Sequence, residues 1–78
     1  MKFKTIGNEL VGTFTFTDFS EALSFINKVG ALAEQHNHHP YIENMYNKVI
    51  LKLSTHDAGN VVTAKDEELA KLIEALGE

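Results

Sequence analysis

At 78 residues the chain has room for one domain, and a domain this small buries only about 60 to 65% of the surface its unfolded form exposes. There is no cysteine to staple it, so added stability is expected from a ligand, a metal or a second copy of the chain, a homo-oligomer being the simplest. A net charge of −4 supplies no basic stripe for phosphates, which argues against direct nucleic-acid binding.

Residues 2–6 and 10–17 alternate apolar and polar side chains and are rich in β-branched and aromatic types, which predicts two strands. Gly7-Asn8 between them suits a two-residue hairpin turn. Pairing Ile6 with Glu9 sets Phe3 opposite Gly12 and places Leu10, Gly12, Phe14 and Phe16 on Phe3's face, the one expected to be buried. Asp18 followed by Glu21 reads as a helix start. From there Ala22, Leu23, Ile26, Val29, Leu32 and Ala33 recur at helical spacing, with Phe25 widening the stripe. Gly30 inside that helix costs about 1 kcal/mol against Ala, so close packing is expected there. The helix should end near Gln35 and deliver His36 to His39 into its exit loop.

A second hairpin is predicted over 41–46 and 48–56, with Asn47 as the residue suited to a left-handed turn position. Val49, Leu51 and Leu53 make one face of its second strand apolar. After "HDAGN" breaks the pattern, Thr63 and Asp66 read as a capping box for a last helix carrying Leu69, Leu72, Ile73 and Leu76, with Gly77 as its stop. The order ββαββα predicts an α+β, two-layer sandwich: a four-stranded antiparallel sheet with helices on one face.

Three features exceed what the fold requires: the cluster His36, His38 and His39, then His56, then the Asp66 carboxylate. A zinc site is one reading, since zinc takes imidazole and carboxylate ligands. Against it, "HNHH" has no structural-zinc spacing and no cysteine, and HExxH is absent. General acid/base chemistry is the other, because an imidazole exchanges protons near neutral pH. Pro40 holds His39 extended and stiffens the loop. His56 reads equally as a polar residue closing a strand end, and Asp66 is explained by helix capping alone. No serine sits in a nucleophile elbow.

Taken together, Glu34, His38-His39-Pro40, Tyr46-Asn47, Thr55-His56 and Asp66, in that order on ββαββα elements, resemble the pterin-4a-carbinolamine dehydratase family, also called 4a-hydroxytetrahydrobiopterin dehydratases. The motifs "NHHP", "YNKV" and "LSTHDAG" carry the resemblance, which runs from about Phe14 to Ile73. It implies an enzyme of tetrahydrobiopterin recycling, a hydro-lyase removing water from 4a-hydroxytetrahydropterin to give quinonoid dihydropterin without metal or other cofactor. By the same resemblance His38 and His56 are the acid/base pair, and His39 shapes and orients the pterin pocket. Glu34, Pro40, Thr55 and Asp66 are implied to contact the substrate or support the site, while His36 has no counterpart.

The resemblance further implies dimers whose sheets join, often assembled into tetramers. The family's usual helix before the first strand has no match in residues 1–78, read as a single domain, and the stretch from His56 to Asp66 is one residue longer than the family pattern. Two other roles are consistent with the resemblance: a non-catalytic pterin-binding or dimerisation-cofactor protein acting through a regulatory partner, and an accessory part in molybdenum-cofactor metabolism. The N-terminus has no apolar signal core, and no segment nears the roughly 20 apolar residues of a membrane span. A cytoplasmic protein without membrane contact is therefore expected.

Overall fold

The computed structural model describes residues 2–77. Its elements are β1 (Phe3–Ile6), β2 (Glu9–Thr15), α1 (Phe19–His36), β3 (Tyr41–Met45), β4 (Lys48–Leu53), one 3₁₀ turn (His56–Ala58) and α2 (Ala64–Leu76). The strands form one antiparallel sheet in the order β1-β2-β4-β3, so the predicted α+β fold and ββαββα order hold.

The first hairpin follows the pleat. Ile6 pairs with Glu9 and Phe3 with Gly12, and Gly7 takes the positive φ of 61° that the tight turn demands. Side chains alternate across a strand, so Phe3, Leu10 and Phe14 are buried together, with Phe16 partly buried against them. Val49, Leu51 and Leu53 of β4 are fully buried on the same face. The Phe14 and Phe25 rings lie 4.8 Å apart and tilted, which ties sheet to helix. At one edge of the sheet the start of β1 is held to α2: the N–H of Phe3 donates to Glu74 Oε2 at 3.2 Å, and that of the preceding Lys2 reaches the same oxygen.

Asp18 caps α1 by accepting the Glu21 N–H at 2.9 Å, and Glu21 accepts the N–H of Thr17 at 3.0 Å. The buried line of α1 is Ala22, Phe25, Val29 and Ala33, at steps of three and four residues. Leu23, predicted in the stripe, is exposed instead. The aromatic ring of Phe25 takes the centre, because Phe14 and Phe16 present their rings to it. The close packing expected at Gly30 is absent: a Cβ there would meet nothing within 4 Å. The close approach falls at Gly12, where a Cβ would lie 2.8 Å from the Phe3 ring.

The second hairpin also differs in detail. Tyr46, at φ 51°, occupies the left-handed position predicted for Asn47. Asn47 is committed to the residue that follows β2: its carbonyl accepts the Phe16 N–H and its side-chain amide donates to the Phe16 carbonyl, both at 2.8 Å. The last strand stops at Leu53, short of the predicted His56, because the chain turns into the 3₁₀ segment. Among α2 residues, Leu69, Ala70 and Ile73 are buried and Leu72 is exposed. Gly77 follows the last helical residue as predicted.

Candidate active site

The exit of α1 is a Schellman cap. Asn37 adopts φ 48° and ψ 44°, its N–H donates to the Glu34 carbonyl at 3.2 Å, and the His38 N–H reaches back to the Ala33 carbonyl at 3.0 Å. Asparagine tolerates this left-handed position better than most residues. The cap therefore fixes where His38 leaves the helix, and Pro40 holds the next residue extended.

On the other side, β4 delivers Thr55 into a tied loop. The Thr55 N–H donates to the Val61 carbonyl at 2.8 Å, and the Thr55 carbonyl accepts from Asn60 at 3.0 Å and Ala58 at 3.2 Å. Gly59, at φ 88°, lets the loop double back. His56 opens the 3₁₀ turn within this closed segment.

These two devices face one cleft of about 290 Å³, just under the roughly 300 to 1,000 Å³ common for small-molecule sites. Asn37, His38, His39, Thr55, His56 and Lys65 are among its lining residues. The helix exit and the strand end thus converge on a shared space, lined by His38 and His39 from one side and Thr55 and His56 from the other. Pro40 and Glu34 are not part of the lining. Glu34 instead meets His39 Nε2 through Oε2 at 2.5 Å on the exposed rim.

Beneath the cleft lies Asp66, wholly buried. Its Oδ2 accepts the Thr55 hydroxyl at 2.7 Å and the Thr63 N–H at 2.8 Å. The Thr63 hydroxyl sits 2.6 Å from that of Thr55. Since Thr55 spends its one proton on the carboxylate, Thr63 donates to Thr55. With Oδ2 supplied from within, Oδ1 is left to His38 Nε2 at 2.6 Å. Burial pushes the Asp66 carboxyl up, but the hydrogen bonds from Thr55, His38 and the Thr63 N–H, together with the histidine's charge, outweigh it and hold its pKa below the ordinary value. An ionised Asp66 only accepts, so His38 carries its proton on Nε2 and keeps Nδ1 for another partner.

Capping and site support are consequently not rival roles for Asp66. One oxygen caps α2 and the other holds His38. Sequence reasoning missed Lys65, which lines the cleft; its signal was a cation in the first turn of a helix, where the dipole disfavours it. It also missed Asn37, Ser54 and Asp57 in the lining and the contact of His56 Nδ1 with Asn60 Oδ1 at 3.1 Å. Among the described residues no group of three or more His, Cys, Asp or Glu is placed to hold a metal ion.

Residues 3–76 match the sequence model of the family described as Pterin 4 alpha carbinolamine dehydratase. The chain belongs to the pterin 4 alpha carbinolamine dehydratase family. A relative from Sulfurisphaera tokodaii, provisionally named pterin-4-alpha-carbinolamine dehydratase, is 53% identical over 70 residues, covering 90% of this chain and 74% of its own. A Prochlorococcus marinus relative with the same provisional name is 48% identical over 73 residues, 94% of this chain and 75% of its own. A solved structure described as a transcriptional coactivator/pterin dehydratase from Brucella melitensis superposes with a TM-score of 0.93 at 32% identity, covering 99% of this chain and 83% of that one. A pterin dehydratase-like protein described as a RuBisCO assembly factor in the alpha-carboxysome superposes with a TM-score of 0.77 at 21% identity, covering 96% and 86%, and shares the fold. Among the described residues of this family member, no helix is long and apolar enough to cross a membrane.

Proposed function

We propose that this protein dehydrates 4a-hydroxytetrahydropterins to quinonoid dihydropterins, with His38 and His56 as the general acid/base pair. The observation that carries the reading is the convergence of His38, His39 and His56 on one cleft while a buried, ionised Asp66 holds His38 from behind. The reaction breaks the C4a–O bond and the N5–H bond and releases one water. One group must protonate the departing hydroxyl and another must accept the nitrogen's proton. Imidazoles serve both ends near neutral pH. The Asp66 carboxylate suits His38 to accepting a proton, because it stabilises the imidazolium that forms. His56 then supplies the proton to the leaving oxygen. His39, tied to Glu34 at the rim, orients the pterin, and Thr55 supports the pair through Asp66.

Tetrahydrobiopterin recycling is the process such an activity serves, and cytoplasmic residence fits it. We assign the assembled form to a homodimer joined along β3. That strand closes one edge of the sheet and exposes Tyr41, Ile42 and Met45, and an unpaired edge is a template for a second strand.

Stopped-flow absorbance of chemically generated 4a-hydroxytetrahydropterin, with and without the protein, tests the activity. A concentration-dependent acceleration is expected. An unchanged decay at micromolar protein would sink the catalytic reading and leave a pterin-binding or regulatory role, which the descriptions of the two solved relatives bring forward.

A further inference from the structure

The loop after β4 contains a second side-chain clasp that neither helix capping nor sheet pairing requires. Asn60 follows Gly59, and both lie in the left-handed region at φ 60° and φ 88°. The Asn60 backbone N–H is already spent on the Thr55 carbonyl at 3.0 Å, and Val61 bridges Thr55 to close the loop. These backbone bonds close the loop without the Asn60 side chain. That side chain nonetheless turns back over four residues to set Oδ1 3.1 Å from His56 Nδ1.

A carbonyl oxygen accepts and never donates. The nitrogen facing it must therefore carry the ring proton whether the imidazole is neutral or charged. Isolated neutral imidazoles of histidine favour the opposite tautomer, with the proton on Nε2, so the contact works against the intrinsic preference. The other groups around the cleft that could compete for His56 are Asp57, His38, His39 and Lys65. The hydrogen bond recorded for the His56 ring goes to Asn60.

We infer that Asn60 is a positioning residue that fixes His56 as the Nδ1–H tautomer and leaves Nε2 as the nitrogen exchanging protons with the substrate. This deepens the proposed acid/base role of His56 and rests on it for its consequence, though not for the tautomer itself. The two histidines are then clasped at opposite nitrogens, His38 at Nε2 by a carboxylate and His56 at Nδ1 by an amide. The neutral clasp orients its ring without adding charge, whereas the ionised one also stabilises a cation.

The test separates tautomer from turnover. Long-range 1H–15N correlation spectra of the full, 15N-labelled chain, recorded above the histidine titrations, read the protonated nitrogen of each ring directly. His56 is expected as Nδ1–H in the unaltered protein. Asn60→Gly keeps the left-handed backbone and removes the amide; it should return His56 towards Nε2–H and lower kcat about 10-fold with KM unchanged, less than the roughly 10²-fold loss of a whole acid or base. Asn60→Asp should restore Nδ1–H and move the His56 limb of the pH–rate profile to higher pH. His56 found as Nε2–H in the unaltered chain, or unmoved by Asn60→Gly, overturns the inference. The expected tautomers in a protein that does not accelerate dehydration would leave the clasp standing and remove the proposed function alone.

Discussion

Asp66 Oδ1 and His38 Nε2 meet at 2.6 Å, although 28 positions separate them in sequence. The carboxylate starts α2 and the imidazole ends the cap of α1, so the contact is also a joint between the two helices. Its directionality comes from Thr55 and Thr63, which occupy the other carboxylate oxygen. Two helix termini that each need polar partners have been placed so that their caps meet under a cleft.

If His38 and His56 divide the proton transfers, His38→Ala and His56→Ala each lower kcat/KM by roughly 10²-fold or more. His36→Ala, at the exposed end of α1 outside the cleft lining, changes it little. Steady-state and single-turnover rates across the three variants check this. Full turnover in either of the first two would remove that histidine from the mechanism.

The Asp66 clasp predicts a pH signature in stability. The folded carboxyl titrates below its ordinary value, for the reasons given above, whereas in the unfolded chain it titrates near about 3.9. Between those values the unfolded chain binds the extra proton, so stability falls as pH falls. This contribution is complete above about pH 5 and is lost as pH drops through about 3.9 towards the folded value. Urea midpoints measured from pH 7 to pH 3 should show that acid limb, and Asp66→Asn should flatten it while lowering stability at pH 7. Parallel acid limbs in the two proteins would contradict an ionised Asp66.

Thr55→Val retains the shape and strand preference of threonine but removes the donor to a wholly buried carboxylate. It should cost about 1 to 3 kcal/mol and reduce turnover by loosening His38. Thr55→Ser keeps the hydroxyl and should recover most of both. Denaturation midpoints and kcat for the pair decide it; a serine variant no better than valine would assign the effect to packing.

Two glycines should respond in opposite directions to alanine. At Gly12 a Cβ would come within 2.8 Å of the buried Phe3 ring, and such overpacking costs about 1 to 3 kcal/mol. Gly30 lies inside α1 with nothing near its missing Cβ, so Gly30→Ala should gain up to about 1 kcal/mol from helix propensity. Thermal unfolding of both variants gives the sign of each.

Local pattern set much of this fold. The alternation in β2 and β4, the Gly7-Asn8 turn and the Asp18 and Thr63 helix starts are short-range signals, because pleat, turn and cap are decided within about four residues. The pairing of Phe3 with Gly12 was legible for the same reason. Which of several apolar residues centres a helix face was not: Phe25 displaced Leu23 because the rings of Phe14 on β2 and Phe16 just beyond it meet it. Nor was the owner of the left-handed turn position, since Asn47 is held by Phe16, just past the end of β2.

The candidate site divides along the same line. The chemical inventory is written in the residue order: imidazoles beside a stiffening proline and a carboxylate at a helix start. Packing of distant elements is what brings His38, His39 and His56 to one cleft, lets one Asp66 oxygen cap while the other clasps, and returns Asn60 to His56. Reactive groups are chosen residue by residue, but their distances and tautomers depend on how separate helix ends and loops pack, and no local spacing encodes that.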